Sequence, residues 1–402
     1  MMTKTLFHRQ TGNIAIKVAM FVAILAQSTI AAENFHFNGF ISQGVQQADQ
    51  TNFVSDDGDP SFSLTEIGIN ARWQFDDRFS LNGQLVYLNA GNRYPEGVRV
   101  DYLFLDWHAI RQTNWNVNVH LGRYKNYHWM YSATRDVPHT RPNNLLPQSI
   151  YFDSFRDIAL GSDGIAIRAN ASNEIGDWEF NWSYGSSPIS QESMRQLFGP
   201  TATGELEQEF AHQSSVYWHS PNSEWMLGMN WLDSDFNYNS HATDPFVPGD
   251  ATVNRFSLVG QYQSEHWELT SELIRERSIY DNVLFQGFSN DSSAEGGYVQ
   301  LTWLATRYLD LLLRMDLYDF DRKDRKGDLI ALRSNGFIPS YFGYMDTGTL
   351  GVKFQLKDNL QLQAEFNRVR GAGRLTPLLV RNPNTATSEY WNMWSIQLMY
   401  WF

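Results

Sequence analysis

Apolar and polar residues alternate along this chain with a period of two. Ile67, Ile69, Ala71, Trp73 and Phe75 are apolar, and the residues between them are small or polar. Because successive side chains of a strand point to opposite faces, this segment predicts a β-strand with one apolar and one wet face. The same pattern recurs at 115–121, 178–184, 225–231, 309–317 and 360–366. The chain is therefore predicted to be all-β.

The connections between these segments alternate between short and long. The short ones include 76–78, 222–224, 264–266, 305–307 and 357–359. The long ones are 47–60, 90–97, 126–157, 188–208, 233–251, 278–294, 319–341 and 371–388. Short periplasmic turns and long extracellular loops are typical of outer-membrane barrels. Eight long loops predict eight hairpins and about 16 strands, and lipid requires them to close because an open edge would leave backbone groups unpaired.

The first residues predict an export signal. Lys4, Arg9 and Lys17 precede an apolar run at 18–26, and the small residues of the segment 27–32 follow it. This run is too short to span a bilayer, which takes about 20 residues. A positive start, a short apolar core and small residues predict a cleaved signal peptide. We therefore assign 1–32 to the signal peptide and 33–402 to the barrel.

Composition narrows the possible partners. The formal charge is −13, and removal of three leader cations leaves −13 − 3 = −16 for the mature chain. Such an acidic chain is a poor partner for nucleic acid. There is no cysteine, so thiol-ligated metals are excluded, and no cofactor is predicted. Aromatic residues make up 15% of the chain, as expected for rings that form girdles at the two membrane interfaces.

The C-terminal segment 390–402 also alternates and ends on an aromatic residue. Its apolar positions are Trp394, Ile396, Leu398, Tyr400 and the terminal Phe402. A terminal aromatic residue on an amphipathic strand resembles the signal by which the outer-membrane assembly machinery recognises its barrel substrates. The expected partners are that machinery, outer-membrane lipid and lipopolysaccharide.

The third long loop carries a closer resemblance. The segments 121–126, 134–136, 140–142 and 146–153 resemble those of little-characterised proteobacterial porin-like proteins. They are distantly similar to phosphate-selective porins, in which a strand ending in Gly-(Arg or Gln)-aromatic-Lys leads into the constriction loop. The resemblance implies passive diffusion of small hydrophilic solutes or ions, a third loop folded into the pore, and a homotrimer.

The third long loop also has physical reasons to fold inward. Loops of this length are rare unless they are functional, and this one is too apolar to remain in water. Its charged residues are then candidates for the pore constriction: Arg135, Asp136, His139, Arg141, Asp153, Arg156 and Asp157. Alternatively, Arg135–Asp136 and Arg156–Asp157 are structural pairs that hold the loop against the wall.

Further charged residues are predicted on the lumen wall. The candidates are Arg72, Arg123, Lys125, Arg168, Arg314 and Asp316, although Arg123 and Lys125 lie at a strand end where the alternation is lost. Inward acids such as Glu66, Glu272 and Glu365 interrupt any line of cations. This interruption argues against a phosphate channel, which needs successive donors.

The acidic groups and the histidines bear on other functions. The acidic groups Asp56, Asp57, Asp59 and Asp321, Asp324, Asp328 invite a calcium site, but calcium needs six to eight oxygens and the second group is interleaved with cations. The ten histidines are scattered singly, so no catalytic residue is predicted. A non-conducting structural or adhesive barrel remains the alternative to a channel, and an outer-membrane enzyme a weaker one.

Overall fold

The computed structural model describes residues 34–283, 285–375 and 387–402. The predicted signal peptide at 1–32 lies outside the described residues. The described residues form one closed antiparallel barrel in which each strand pairs with its sequence neighbours. The strands are β1 Phe35–Ala48, β2 Thr65–Gln74, β3 Phe79–Asn89, β4 Gly97–Arg111, β5 Trp115–Lys125, β6 Gly161–Asn173, β7 Gly176–Ser186, β8 Glu205–His219, β9 Trp225–Asn239, β10 Gly249–Gln263, β11 Trp267–Asp281, β12 Ser289–Thr306, β13 Leu309–Asp319, β14 Tyr344–Lys357, β15 Leu360–Gly371 and β16 Tyr390–Trp401. The predicted 16-stranded barrel is confirmed.

The first and last strands close the barrel. Their register runs from Phe40 opposite Trp401 to Ala48 opposite Met393. Phe402 continues the pairing, since its backbone N–H donates to the Gly39 carbonyl at 3.0 Å and its carbonyl accepts from the Gly39 N–H at 3.1 Å. Closure therefore satisfies the backbone groups that an open sheet edge would expose to lipid.

The connections separate into two ends of the barrel. At the short-turn end they are 75–78, 112–114, 174–175, 220–224, 264–266, 307–308 and 358–359. At the long-loop end they are 49–64, 90–96, 126–160, 187–204, 240–248, 282–288, 320–343 and 372–389.

Two predicted long loops were too long, because β9 to β12 extend further than the alternation shows. The predicted 233–251 shrinks to 240–248, and 278–294 shrinks to 282–288. Asp235 pairs with Thr252, and Asp291 pairs with Ile279. At these strand ends the outward positions, such as Asp235 and Asp291, are polar, while inward positions such as Phe236 are apolar. The pattern of apolar outward residues therefore ends although backbone pairing continues.

The outer face of the barrel is apolar and aromatic. Leu313, Met315 and Leu317 alternate along β13 and are about half exposed, with relative exposures of 54%, 58% and 49%. Towards the short-turn end Trp267 stacks on Trp303 with ring centroids 5.7 Å apart. Such a face suits the hydrocarbon region and the interface of a bilayer.

Short helices lie only in the long loops of the described chain. They are α1 Arg156–Ala159, α2 Gln191–Phe198 and α3 Asp328–Arg333. None of the helices in the described ranges is both long enough and apolar enough to cross a membrane. The Ser190 hydroxyl caps α2 by accepting from the Ser193 N–H at 3.1 Å, which helps to direct its apolar face at the barrel.

A β-bulge in β4 redirects one carboxylate into the lumen. Gln84 of β3 pairs with Tyr102, whereas the next residue, Leu85, pairs with Val100, so Asp101 has no partner in this register. An extra residue of this kind bends a strand and re-aims its side chain. Asp101 is thereby directed to Lys125 at the end of β5.

Candidate pore constriction

Residues 126–160, which connect β5 to β6, lie inside the barrel and are called the plug loop. The plug loop carries its own apolar cluster, in which Trp129, Leu146 and Ile150 are buried against Ile274 and Tyr298 of the wall. Burial of these groups removes apolar surface from water and explains why the loop leaves the solvent. The structure thus confirms the predicted inward fold of the third long loop.

Polar side chains tether the start of the plug loop to β7 and β8. The Asn126 amide donates to Gln213 Oε1 at 2.9 Å, and the Tyr217 hydroxyl donates to the His128 carbonyl at 2.7 Å. His128 Nε2 lies 2.9 Å from the Ser183 hydroxyl. Burial lowers the pKa of His128 to about 3, so its ring is neutral at physiological pH.

The middle of the plug loop is tethered to the opposite wall. Arg314 of β13 donates to Asn143 Oδ1 at 3.0 Å and to the Leu145 carbonyl at 2.9 Å. The Leu145 N–H donates to Glu365 of β15 at 3.1 Å. The two bonds from Arg314 use both terminal nitrogens of an arginine that is only 1% exposed.

Glu272 of β11 forms a third attachment. Its Oε1 accepts from the hydroxyls of Tyr151, in the plug loop, and Tyr298, on β12, each at 2.7 Å. Arg255 of β10 donates to the Ile150 carbonyl at 3.3 Å. Together with the contacts above, the plug loop is held by strands from β7 to β15.

A buried ion-pair network fixes the base of the plug loop. Lys125 Nζ contacts Asp101 and, at 2.9 Å, Asp136, and Arg156 contacts the other oxygen of Asp136. Burial opposes the charge on Asp136, but Arg156 and Lys125 outweigh it and hold the pKa of that carboxyl well below its ordinary value. Because the pKa is depressed, the stabilisation is present at neutral pH and is lost as the pH falls below the ordinary range of aspartate.

A second network joins the plug loop to the wall and to a neighbouring loop. Asp153 accepts from Arg93 at 2.8 Å and from Arg135 at 2.5 Å. Arg141 donates to Glu66 Oε1 of β2 at 3.0 Å. His139 stacks on Trp401, with ring centroids 4.3 Å apart.

The seven predicted constriction residues therefore lie in the lumen, but their pairing differs from the sequence-based alternative. Arg135 pairs with Asp153 rather than with its neighbour Asp136. Arg156 does contact Asp157, at 3.1 Å, and Asp157 also contacts Arg99 at 3.0 Å. Their role in selecting solutes stays a prediction.

Five of the six predicted wall residues occupy three kinds of inward position. Arg314 and Asp316 face inward and are buried, whereas Arg72 and Arg168 face the more open short-turn half of the lumen. Arg168 stacks over Tyr127 at 3.8 Å. Lys125 belongs to the network at the base of the plug loop.

Arg123 was wrongly placed on the lumen wall. It lies opposite Leu103, on the outward face, and forms a two-pronged pair with Asp163 at 2.7 and 2.8 Å. Its parity along β5 is that of Leu121, which is also exposed on the outer face. The alternation therefore continues through Arg123 and ends only at Lys125.

The acidic loop groups contribute to local turns. Asp56 accepts from the Asn92 amide at 2.9 Å, and Asp57 accepts from the Asp59 N–H at 3.1 Å. Asp324 accepts from the Ile330 N–H at 3.0 Å. Across 34–283, 285–375 and 387–402, no group of three or more acidic or histidine side chains has an arrangement that could hold a metal ion.

Sequence reasoning missed several residues that hold the plug loop. Asp101 stands in a bulge, so the alternation does not reveal its direction. Arg93 and Arg374 lie in other loops, and no local pattern links them to the third one. Arg255 precedes the apolar Phe256 in an alternating segment, and this signal identifies Arg255 as inward.

Replacement of Gly228 by valine is expected to destabilise the barrel by about 1–3 kcal/mol, the usual cost of overpacking. A Cβ at Gly228 would lie 2.4 Å from the ring of Tyr217, whose hydroxyl holds the plug loop. Urea unfolding in detergent, followed by tryptophan fluorescence, measures the loss. Gly348→Val is the matched control, because a Cβ at Gly348 meets no atom within 4 Å; equal losses in the two variants would contradict the argument.

Comparison with known proteins gives a fold but no sequence family. No family model and no curated protein matches the chain. Among solved structures, the outer-membrane protein OmpT of Vibrio cholerae matches with a TM-score of 0.54 at 12% identity, over 92% of this chain and 97% of that chain. The outer membrane channel DcaP of Acinetobacter baumannii matches with a TM-score of 0.55 at 11% identity, over 92% and 97%.

A third match is the anion-selective porin from Comamonas acidovorans, with a TM-score of 0.54 at 11% identity, over 92% of this chain and 99% of that chain. The chain thus has the closed 16-stranded barrel fold of porin-like outer-membrane proteins. At these identities the likeness concerns the fold alone.

Proposed function

We propose that this chain is a porin-like channel of the Gram-negative outer membrane. It is exported by the signal peptide at 1–32 and lets small hydrophilic solutes or ions diffuse passively. The observation that carries this proposal is a polar lumen crossed by one inward loop, whose charged side chains pair with groups on the wall. Fixed charges along a pore select among permeating ions. The short-turn end faces the periplasm, and the long-loop end faces lipopolysaccharide and the exterior.

The direct test is single-channel recording of the refolded mature chain in planar bilayers, with the reversal potential measured under a KCl gradient. Stable current steps are expected. Arg72→Glu is expected to raise the cation-to-anion permeability ratio at least about twofold. Arg72 is exposed in the more open half of the lumen, so the change puts a negative charge in place of a positive one beside the permeating ions.

The matched control for this charge reversal is Arg275→Glu. Arg275 lies opposite Phe256 on the outer face of β11 and is exposed there. The Arg275→Glu variant is expected to leave the permeability ratio unchanged. Stable insertion without any current would contradict the channel.

A sealed structural or adhesive barrel is the second candidate. One observation favours it: wall side chains such as Gln300, Asn367 and Gln397 are essentially unexposed, with relative exposures of 0%. In this reading the plug loop closes the lumen permanently. The same recording separates the two, since a sealed barrel carries no current at any voltage.

The assembly is proposed to be a homotrimer. Support comes from the resemblance of the third loop to those of porin-like proteins and from a trimer form among the solved structures of the V. cholerae protein. Light scattering of the detergent-solubilised barrel, corrected for bound detergent, gives the number of chains. A monomeric mass would reject the trimer without affecting the channel.

A further inference from the structure

A cavity of about 270 Å³ lies between the plug loop and the long-loop ends of β8 to β12. Its wall is largely apolar. Leu206, Phe236 and Val253 line it from the barrel, and Phe198 lines it from α2. Other apolar clusters of the inner face, such as the one around Phe40, are buried core, whereas this apolar wall borders a cavity.

The apolar lining is built from packed aromatic rings. Phe198 stacks on Tyr238 with centroids 4.7 Å apart, and Phe155 of the plug loop meets Phe236 edge-on at 5.9 Å. A water-filled pore gains nothing from such a wall, whereas a concave apolar surface with few polar groups is the usual form of a small-molecule site. The lining therefore indicates a ligand with an apolar body.

The polar groups that line the cavity carry surplus positive charge. Three arginines, Arg135, Arg255 and Arg374, and one carboxylate, Glu276, line the cavity, which gives a net charge of 3 − 1 = +2. Arg135 also contacts Asp153, which in turn pairs with Arg93. Counting Asp153 and Arg93 adds one negative and one positive charge, so the net charge stays at +2. A buried surplus of cations attracts an anionic group.

Arg374 is the guanidinium best placed to receive that group. It is 7% exposed, lies 3.9 Å over the Tyr318 ring, and donates to the Ser149 carbonyl at 3.2 Å. Glu276 is 3.6 Å away and is already bound more closely by Arg255. Within the described part of the chain, the buried Arg374 Nε has no hydrogen-bond partner.

We infer that this cavity binds an amphipathic organic anion, with its apolar body against Phe236 and Val253 and its carboxylate on Arg374. The inference rests on the proposed channel function, because it names the class of solute that the long-loop end collects before passage. The recognition chemistry is an aromatic or aliphatic body joined to one carboxylate.

The test is isothermal titration of the mature barrel in lipid nanodiscs, with empty nanodiscs as the blank. The probe is 4-phenylbutyrate. It is compared with the neutral 4-phenylbutan-1-ol and with acetate, which lacks the apolar body. Saturable binding of 4-phenylbutyrate, at least about tenfold tighter than that of either comparison compound, is expected.

Three variants localise the binding. Arg374→Gln is expected to weaken it at least about tenfold, since a charge-assisted bond is lost. Ala251→Phe, which fills the cavity from β10, is expected to abolish it while the barrel still folds. Arg277→Gln is the control and is expected to change nothing, because Arg277 is exposed outside the cavity and paired with Asp291.

The outcomes separate this site from the channel. A barrel that conducts KCl but shows no saturable 4-phenylbutyrate heat overturns the site and leaves the channel. Saturable binding that Arg374→Gln weakens, in a barrel without current, supports the site and refutes the channel. Acetate that binds as tightly as 4-phenylbutyrate, or equal losses in Arg277→Gln and Arg374→Gln, overturns the site.

Discussion

Deletion of residues 128–158, with a short Gly-Ser linker in their place, is expected to raise single-channel conductance at least about threefold, because an empty barrel of 16 strands holds a wide aqueous channel. The ends of the plug loop permit this change, since the Asn126 N–H donates to the Leu160 carbonyl at 2.8 Å. Wall charges that the plug loop now pairs, such as Glu66 and Arg314, would be solvated by the water that enters.

The matched control is deletion of residues 56–59, which form a largely exposed part of another long loop. It shortens the chain at the same end of the barrel without touching the plug loop, so conductance should not change. Unchanged conductance after removal of the plug loop would show that the constriction lies elsewhere. If the unaltered barrel carries no current and the deletion variant does, the plug loop is instead a permanent seal.

The strands were predictable because lipid and lumen are opposite solvents on the two faces of one wall. Leu313 and Met315 must be apolar, and Arg314 between them must be polar, so the pattern of β13 determines both its structure and its facing. The same logic identified the plug loop, whose length and apolar residues are incompatible with free solution. It failed at the ends of β9 to β12, where the outward positions, such as Asp235 and Asp291, are polar although the strands continue.

The contacts of the plug loop were not predictable, because its ion pairs join distant parts of the chain. Arg135 and Asp136 are sequence neighbours, yet they bind Asp153 and Lys125 in different networks. Backbone direction in an irregular loop decides which way each side chain points, and no periodicity reports it. The apolar cavity was hidden for a related reason: Phe236 and Val253 resemble lipid-facing residues until the register turns them inward.

Replacement of Lys125 by methionine is expected to destabilise the barrel by about 3–5 kcal/mol, the cost of leaving a buried charge without its partner. Lys125 is 2% exposed and is the cation that pairs with Asp101. Asp136 would retain Arg156, but Asp101 would retain only the amide of Gln84, which donates at 2.7 Å. Equilibrium urea unfolding of the refolded barrel measures the change.

Arg123→Met is the matched control, two residues earlier on the same strand. Its ion pair with Asp163 has side chains that are 30% and 50% exposed, so its loss should cost no more than about 1 kcal/mol. The double variant Lys125→Met with Asp101→Asn should recover most of the stability, because the amide leaves no unpaired charge and can still accept from Gln84. Equal small losses in Lys125→Met and Arg123→Met would mean that the base of the plug loop is hydrated and its network contributes little. A large loss that the double variant restores would place the charge of Asp101, rather than the packing of Lys125, at the origin of the effect.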